Sequence, residues 1–353
     1  MIFNINKDDD IKLNKLFNTL EENILVSDFY IEYLSSFAHK AGQDILTLDS
    51  LINKLEVNNY KELLVKHKAN QIKKLIASDY NRDPYYLSIN INKDVKKSKW
   101  KITKDKYFKN EPFIYKDTVE NENDYFIEYN HLGYFNDEFK YICATQNNTI
   151  WMSITPNEIE TMKETIRNAN GDVLTFGLGL GYYPFMCSLK NNVNSITIIE
   201  MDKNAIELFE TYILPQFKYK NKIKIINDNA LVYPTITQKK YNYSFADIWH
   251  TVDDGLELYI RLKLTEKYNY SSSYSYWIED SLLIMFRRIV INLINEEYNG
   301  STDEDYKDNS SFINVIMNSL HFNLKNIQFN SYEDIKSMLK KESLIKLITD
   351  LNI

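Results

Sequence analysis

Cysteine is nearly missing. Cys143 and Cys187 are the only two among 353 residues, and neither has a CxxC partner. This excludes a disulfide framework and a thiolate zinc site of the usual spacing. Eight Gly and six Pro are too few for a collagen-like or linker-dominated chain. Arginine is scarce as well, at five residues, and 49 acids outweigh 42 bases to leave a net charge of −7. No global field for a polyanion exists. No run approaches the ~18 apolar residues of a membrane span. The opening residues, with Asp8-Asp9-Asp10, do not read as a secretory signal. A reduced, soluble, cytoplasmic protein with no membrane partner is expected. What is abundant points to a folded chain: 44% hydrophobic residues and 14% aromatics, including 27 Tyr.

No internal repeat occurs, and patterning divides the chain into four regions. Residues 1–84 read as helical, with Leu13, Leu16, Phe17 and Leu20, then Leu64, Ile72, Leu75 and Ile76, at helical spacing. Residues 85–155 read as a small antiparallel β lobe. Tyr125–Tyr129, Phe139–Cys143 and Thr149–Trp151 are short, aromatic and β-branched, with Asn147-Asn148 as a turn. Residues 156–290 alternate strands and helices, beginning with a helix start at Thr155-Pro156-Asn157-Glu158. Strands are expected at Val173–Phe176, Ser195–Ile199, Ile223–Ile226 and Tyr243–Ile248, with a fifth near Tyr276–Asp280. Such alternation implies right-handed βαβ units and a mostly parallel sheet. Residues 291–353 return to helices, interrupted by a polar loop at Gly300–Ser311. Their Leu/Ile stripes read as core or as the surface of a homodimer.

Between the first strand and its helix lies Gly177-Leu-Gly179-Leu-Gly181-Tyr182-Tyr183. Glycine suits a sharp turn whose backbone approaches a ligand, and the helix beyond it offers free N–H groups. Glu200 ends the second strand, 23 residues after Gly177, where an acid can accept from two ribose hydroxyls. Met201 follows it, and Asp228 and Asn229 end the third strand, on the expected adenine side. A dinucleotide fingerprint would want glycine at Tyr182, and no Gly-Lys-Ser/Thr phosphate loop is present.

The pattern resembles the class I S-adenosylmethionine-dependent methyltransferases. Their first motif is matched by Val173–Gly181, their ribose acid by Glu200 in Ile199-Glu200-Met201-Asp202, their adenine-side motif by Ile226–Ala230, and their fourth-strand end by Phe245-Ala246-Asp247. The β lobe ahead of the glycine strand and the Ile-Glu-Met-Asp sequence look like the spermidine-synthase-like branch. The resemblance implies a Rossmann-like α/β domain. It also implies S-adenosylmethionine as cofactor, held by Gly177, Gly179, Gly181, Tyr182, Glu200, Met201, Asp228 and Asn229. Thr175 replaces an acid common in the first motif, and Asn242 stands where a spermidine synthase would carry an acid.

Chemistry is expected in Asp247-Ile-Trp249-His250, where the fourth strand enters its loop. Asp247 and His250 are the candidate catalytic residues, able to take a proton from an acceptor or to orient it. Trp249, Tyr183 and Glu279 are candidate substrate-binding residues, the aromatic pair through cation–π contact. Asp253 and Asp254 read as solvated turn acids before Gly255, so no metal is expected. Methyl transfer to a small molecule or protein side chain is the leading expectation. Aminopropyl or other donor-derived transfer to a polyamine-like acceptor is the alternative, and a non-catalytic nucleoside-binding or interaction protein is a third. Lys93–Lys109 holds eight Lys and no Arg, interrupted by Asp94 and Asp105. It reads as a solvated segment, and no nucleic-acid partner is expected.

Overall fold

The centre of the computed structural model is a sheet of five strands that are parallel throughout. The structure describes residues 1–42, 44, 60–69, 71–300 and 311–353. The strands are β1 (Gly171–Phe176), β2 (Val193–Glu200), β3 (Ile223–Asn227), β4 (Tyr243–Ala246) and β5 (Tyr274–Tyr276). Their order in the sheet is 3-2-1-4-5. β1 sits in the middle of the sheet, and its sequence is accordingly a nearly continuous, buried apolar run. Val173, Leu174, Ile196 and Ile198 are fully buried, each worth about 1.5–3 kcal/mol relative to exposure. The chain leaves β1 to build β2 on one side and β4 on the other. The crevice between the C-terminal ends of β1 and β4 is therefore the switch point where ligands bind in open α/β sheets.

The fold is thus α/β, and the strand alternation from residue 171 follows the sequence reading. Its details shift. β4 stops at Ala246, two residues earlier than expected. β5 is Tyr274–Tyr276, not the stretch ending in Glu279 and Asp280: Ile278 turns into the left-handed region, and Glu279 opens the helix Glu279–Asn299. That helix continues past residue 290, the expected boundary of the α/β region. In the N-terminal region, Lys7–Phe37 is one long helix, with Leu13 and Leu16 fully buried. Ile72–Leu75 is a strand rather than a helix, pairing in parallel with Leu132–Phe135. Leu75 alone of its four residues is buried, so the apolar positions fit either period and the sheet partner decides.

The β lobe holds a four-stranded antiparallel sheet of Val95–Lys97, Trp100–Tyr107, Phe139–Gln146 and Thr149–Ser153. The lysine-rich segment is its hairpin. The lobe is tied to the central sheet where Trp100 Nε1–H donates to Asp202 Oδ2 at 2.9 Å. The C-terminal region packs the helices Phe312–Leu324, Tyr332–Met338 and Lys341–Thr349 against the helix Glu279–Asn299 and its neighbours. The polar loop expected at 300–311 lies mostly outside the described residues. No helix among the described residues is long and apolar enough to cross a membrane.

Candidate functional site

The loop between β1 and the helix Tyr182–Ser188 has all three glycines at positive φ: 91° at Gly177, 55° at Gly179 and 77° at Gly181. Only glycine adopts this region without strain. The surroundings differ from one glycine to the next. A Cβ on Gly177 would lie 1.9 Å from the Asp247 carbonyl oxygen, and one on Gly181 would lie 2.3 Å from the Phe209 ring. A Cβ on Gly179 would meet nothing within 4 Å. Gly177 and Gly181 therefore seat the loop against the protein, and Gly179 presents open backbone.

Glu200, at the end of β2, stands beside this loop. Its Oε2 accepts from the Leu178 N–H at 3.2 Å and its Oε1 from the Asp202 N–H at 2.8 Å. A carboxylate has about four lone-pair sites, so each oxygen keeps one for another donor. The Asp228 N–H donates to the Glu200 carbonyl at 3.1 Å, which brings the ends of β2 and β3 together. Asp228 Oδ1 and Asn229 Oδ1 accept local backbone N–H groups, and Met201 is 70% exposed. The expected nucleoside-side residues thus share one edge of the sheet. The open Gly179 backbone and the free lone pairs of Glu200 fit an adenosyl group.

Beneath the loop lies a cavity of about 40 Å³, bounded by Gly177–Gly181, Thr175, Tyr183, Glu158 and Asp247. That is room for water-sized contents rather than for a nucleoside. Two carboxyl groups face it. No hydrogen bond to either one, and no Lys or Arg in the cavity wall, is present among the described residues. Burial pushes Asp247 up from 3.8 to about 7. Glu158 is held well above the carboxylate range, first by burial and then by the negative charge of Asp247. Two such groups in one small cavity cannot both ionise freely, so they titrate as a pair. Glu158 was visible in the sequence only as a first-turn helix acid. Nothing in its spacing showed that the helix Pro156–Asn168 would deliver it to the end of β4.

The other candidates divide. His250 donates from Nδ1 to Asp254 Oδ2 at 2.7 Å. Burial disfavours the Asp254 charge, but hydrogen bonds from His250 and Thr251 outweigh it and hold its carboxyl low. Asp254 also closes the capping box of the helix Val252–Thr265 with Thr251. Tyr182 lines the cavity while its hydroxyl donates to Asp83 Oδ2 at 3.0 Å. Tyr183 is 2% exposed and stacks on Phe245 with centroids 4.2 Å apart, so it is wall rather than open surface. Trp249 is buried against Gly255 and does not line the cavity. Glu279 accepts from the Tyr259 hydroxyl at 2.9 Å and pairs with Lys263 at 3.5 Å, also off the cavity wall. The structure therefore does not bring His250, Trp249 or Glu279 to the cavity wall as expected; His250 instead holds Asp254. Trp249 faces inward because the chain turns after Asp247, and Glu279 begins a helix.

No protein-family model matches the chain, and no curated protein matches it in sequence. Solved structures similar to it include the spermidine synthase from Thermotoga maritima, at 14% identity and a TM-score of 0.31. Another is a spermidine synthase in complex with the transition-state analogue AdoDATO, at 15% identity and a TM-score of 0.33. Each match covers 42% of this chain and little more than half of the other, 55% and 57% respectively.

Proposed function

We propose that the chain is a group-transfer enzyme that binds S-adenosylmethionine over Gly177–Gly181 and transfers its methyl group to a small molecule or protein side chain. One observation carries this reading. The open Gly179 backbone, the free lone pairs of Glu200, and the Asp247–Glu158 pair converge on one edge of the sheet, at its switch point. The donor supplies an electrophilic carbon when bound. The chain's own tasks are to hold the ribose at Glu200, to keep the adenine near Met201 and Asp228, and to manage the acceptor's proton. Asp247, raised toward neutrality, takes up that proton without a large driving-force penalty.

A second reading is favoured by the cavity's charge. The carboxyl pair, which carries one shared negative charge once Asp247 ionises and has no Lys or Arg beside it among the described residues, would repel a donor carboxylate and attract an ammonium group. That suits aminopropyl transfer from a decarboxylated donor to a polyamine-like acceptor. Incubating cell extract and protein with donors labelled separately in the methyl group and in the methionine side chain separates the two. Methyl label in the product is expected; chain label alone would contradict methyl transfer in favour of the second reading.

A further inference from the structure

The strand that borders the cavity from the lobe side is irregular. Thr149–Ser153 is an edge strand, paired only with Phe139–Gln146. Its register slips between Ile150 and Met152, which makes Trp151 the extra residue of a β-bulge. A bulge re-aims the side chain it carries, and bulges gather beside functional sites for that reason. Here the Trp151 indole is set against the His250 imidazole, with ring centroids 3.6 Å apart at 73°, and edge-on to Trp100 at 6.1 Å. The next two residues, Met152 and Ser153, line the cavity. Trp151 remains 42% exposed, whereas Trp100, Trp249 and Trp277 are all buried.

His250 makes a firm second wall. Its ring is fixed through Nδ1 to Asp254, and the Asp254 carboxylate also accepts the His250 and Thr251 N–H groups. The lobe and the loop after β4 thus meet at one aromatic contact, one residue along the chain from Met152 in the cavity wall, although neither ring lines the cavity itself. An indole attracts cations more strongly than any other side-chain ring, and the neighbouring carboxyl pair, once one member has ionised, adds a field of the same preference.

We infer that Trp151, backed by His250, is a specificity-determining residue for the acceptor, receiving over its indole face a cationic group that does not itself react. The inference rests on the transferase reading above. An alcohol of the same shape gains neither the cation–π contact nor the field, so the wall discriminates by charge.

The test uses the whole chain with S-adenosylhomocysteine present, and n-butylammonium chloride and 1-butanol as probes at fixed ionic strength. The difference in emission between the wild type and Trp151→Phe isolates the Trp151 signal. A saturable change with butylammonium, absent with butanol, is expected. Calorimetric affinity for butylammonium should fall about tenfold in Trp151→Ala and less in Trp151→Phe. Unchanged affinity in Trp151→Ala, or equal binding of butanol, overturns the inference. If Trp151→Ala fails to fold, the emission change and Trp151→Phe still decide. Heat from S-adenosylhomocysteine itself is read independently. Its absence overturns the transferase reading together with this inference. Its presence with unaltered butylammonium binding overturns this inference alone.

Discussion

Asp247 and Glu158 are two carboxyl groups held far above their ordinary range. In the unfolded chain Asp247 ionises near its ordinary value of 3.8, whereas in the fold burial holds its proton up to about 7. The folded state therefore binds more protons than the unfolded state across that window. Its stability falls as pH rises from about 4 through about 7. Replacing either carboxyl by its amide removes part of this slope. In urea denaturation, Asp247→Asn and Glu158→Gln should each gain on the wild type between pH 5 and pH 8, by on the order of 1–3 kcal/mol. Parallel pH profiles for all three would contradict the buried pair. The placement of Glu200 and the glycines at strand ends could be read from the sequence because it depends on distance along the chain from one strand end to the next. Glu158 could not. It looks like any helix-favouring acid near an N-terminus, and its partner lies on another element.

At the scale of elements, the glycine loop has two jobs that substitution can separate. Gly177→Ala would drive a Cβ into the Asp247 backbone, which cannot yield, and should cost more than about 2 kcal/mol or prevent folding. Gly179→Ala meets open space and carries only the strain of its φ, about 1–2 kcal/mol. It should fold, melt a few degrees low, and bind the donor more weakly. Thermal melting with and without S-adenosylhomocysteine checks both, and equal behaviour of the two variants would refute this division. The strands flanking the loop were legible because buried parallel strands are short apolar runs between turn signals. Ile72–Leu75 was not, since its single buried residue fits either period and its partner strand comes some 60 residues later. The bulge at Trp151 was hidden for the same reason: an extra residue is defined only against the strand it faces.

Across the whole molecule, the lobe and the α/β region are joined at the site's rim. Trp100 bonds to Asp202, Lys97 pairs with Glu207 at 2.5 Å, and Lys99 with Asp202 at 3.4 Å. Within the lobe, Lys101 pairs with Asp94 of the same hairpin and Lys106 with Glu138 ahead of the neighbouring strand, each at 2.6 Å. Exposed pairs of this kind contribute little to stability, but they offset the charge of four of the eight lysines. The lysine segment thus contributes a docking face between the two parts. The account turns on whether this rim and the loop beneath it hold an adenosyl donor. Isothermal titration with S-adenosylmethionine and S-adenosylhomocysteine, on the wild type, Gly179→Arg and Glu200→Ala, is the most direct measurement. Saturable heat in the wild type, lost in Gly179→Arg and weakened at least about tenfold in Glu200→Ala, is predicted. No heat with either ligand, or heat that both variants leave unchanged, would contradict the account.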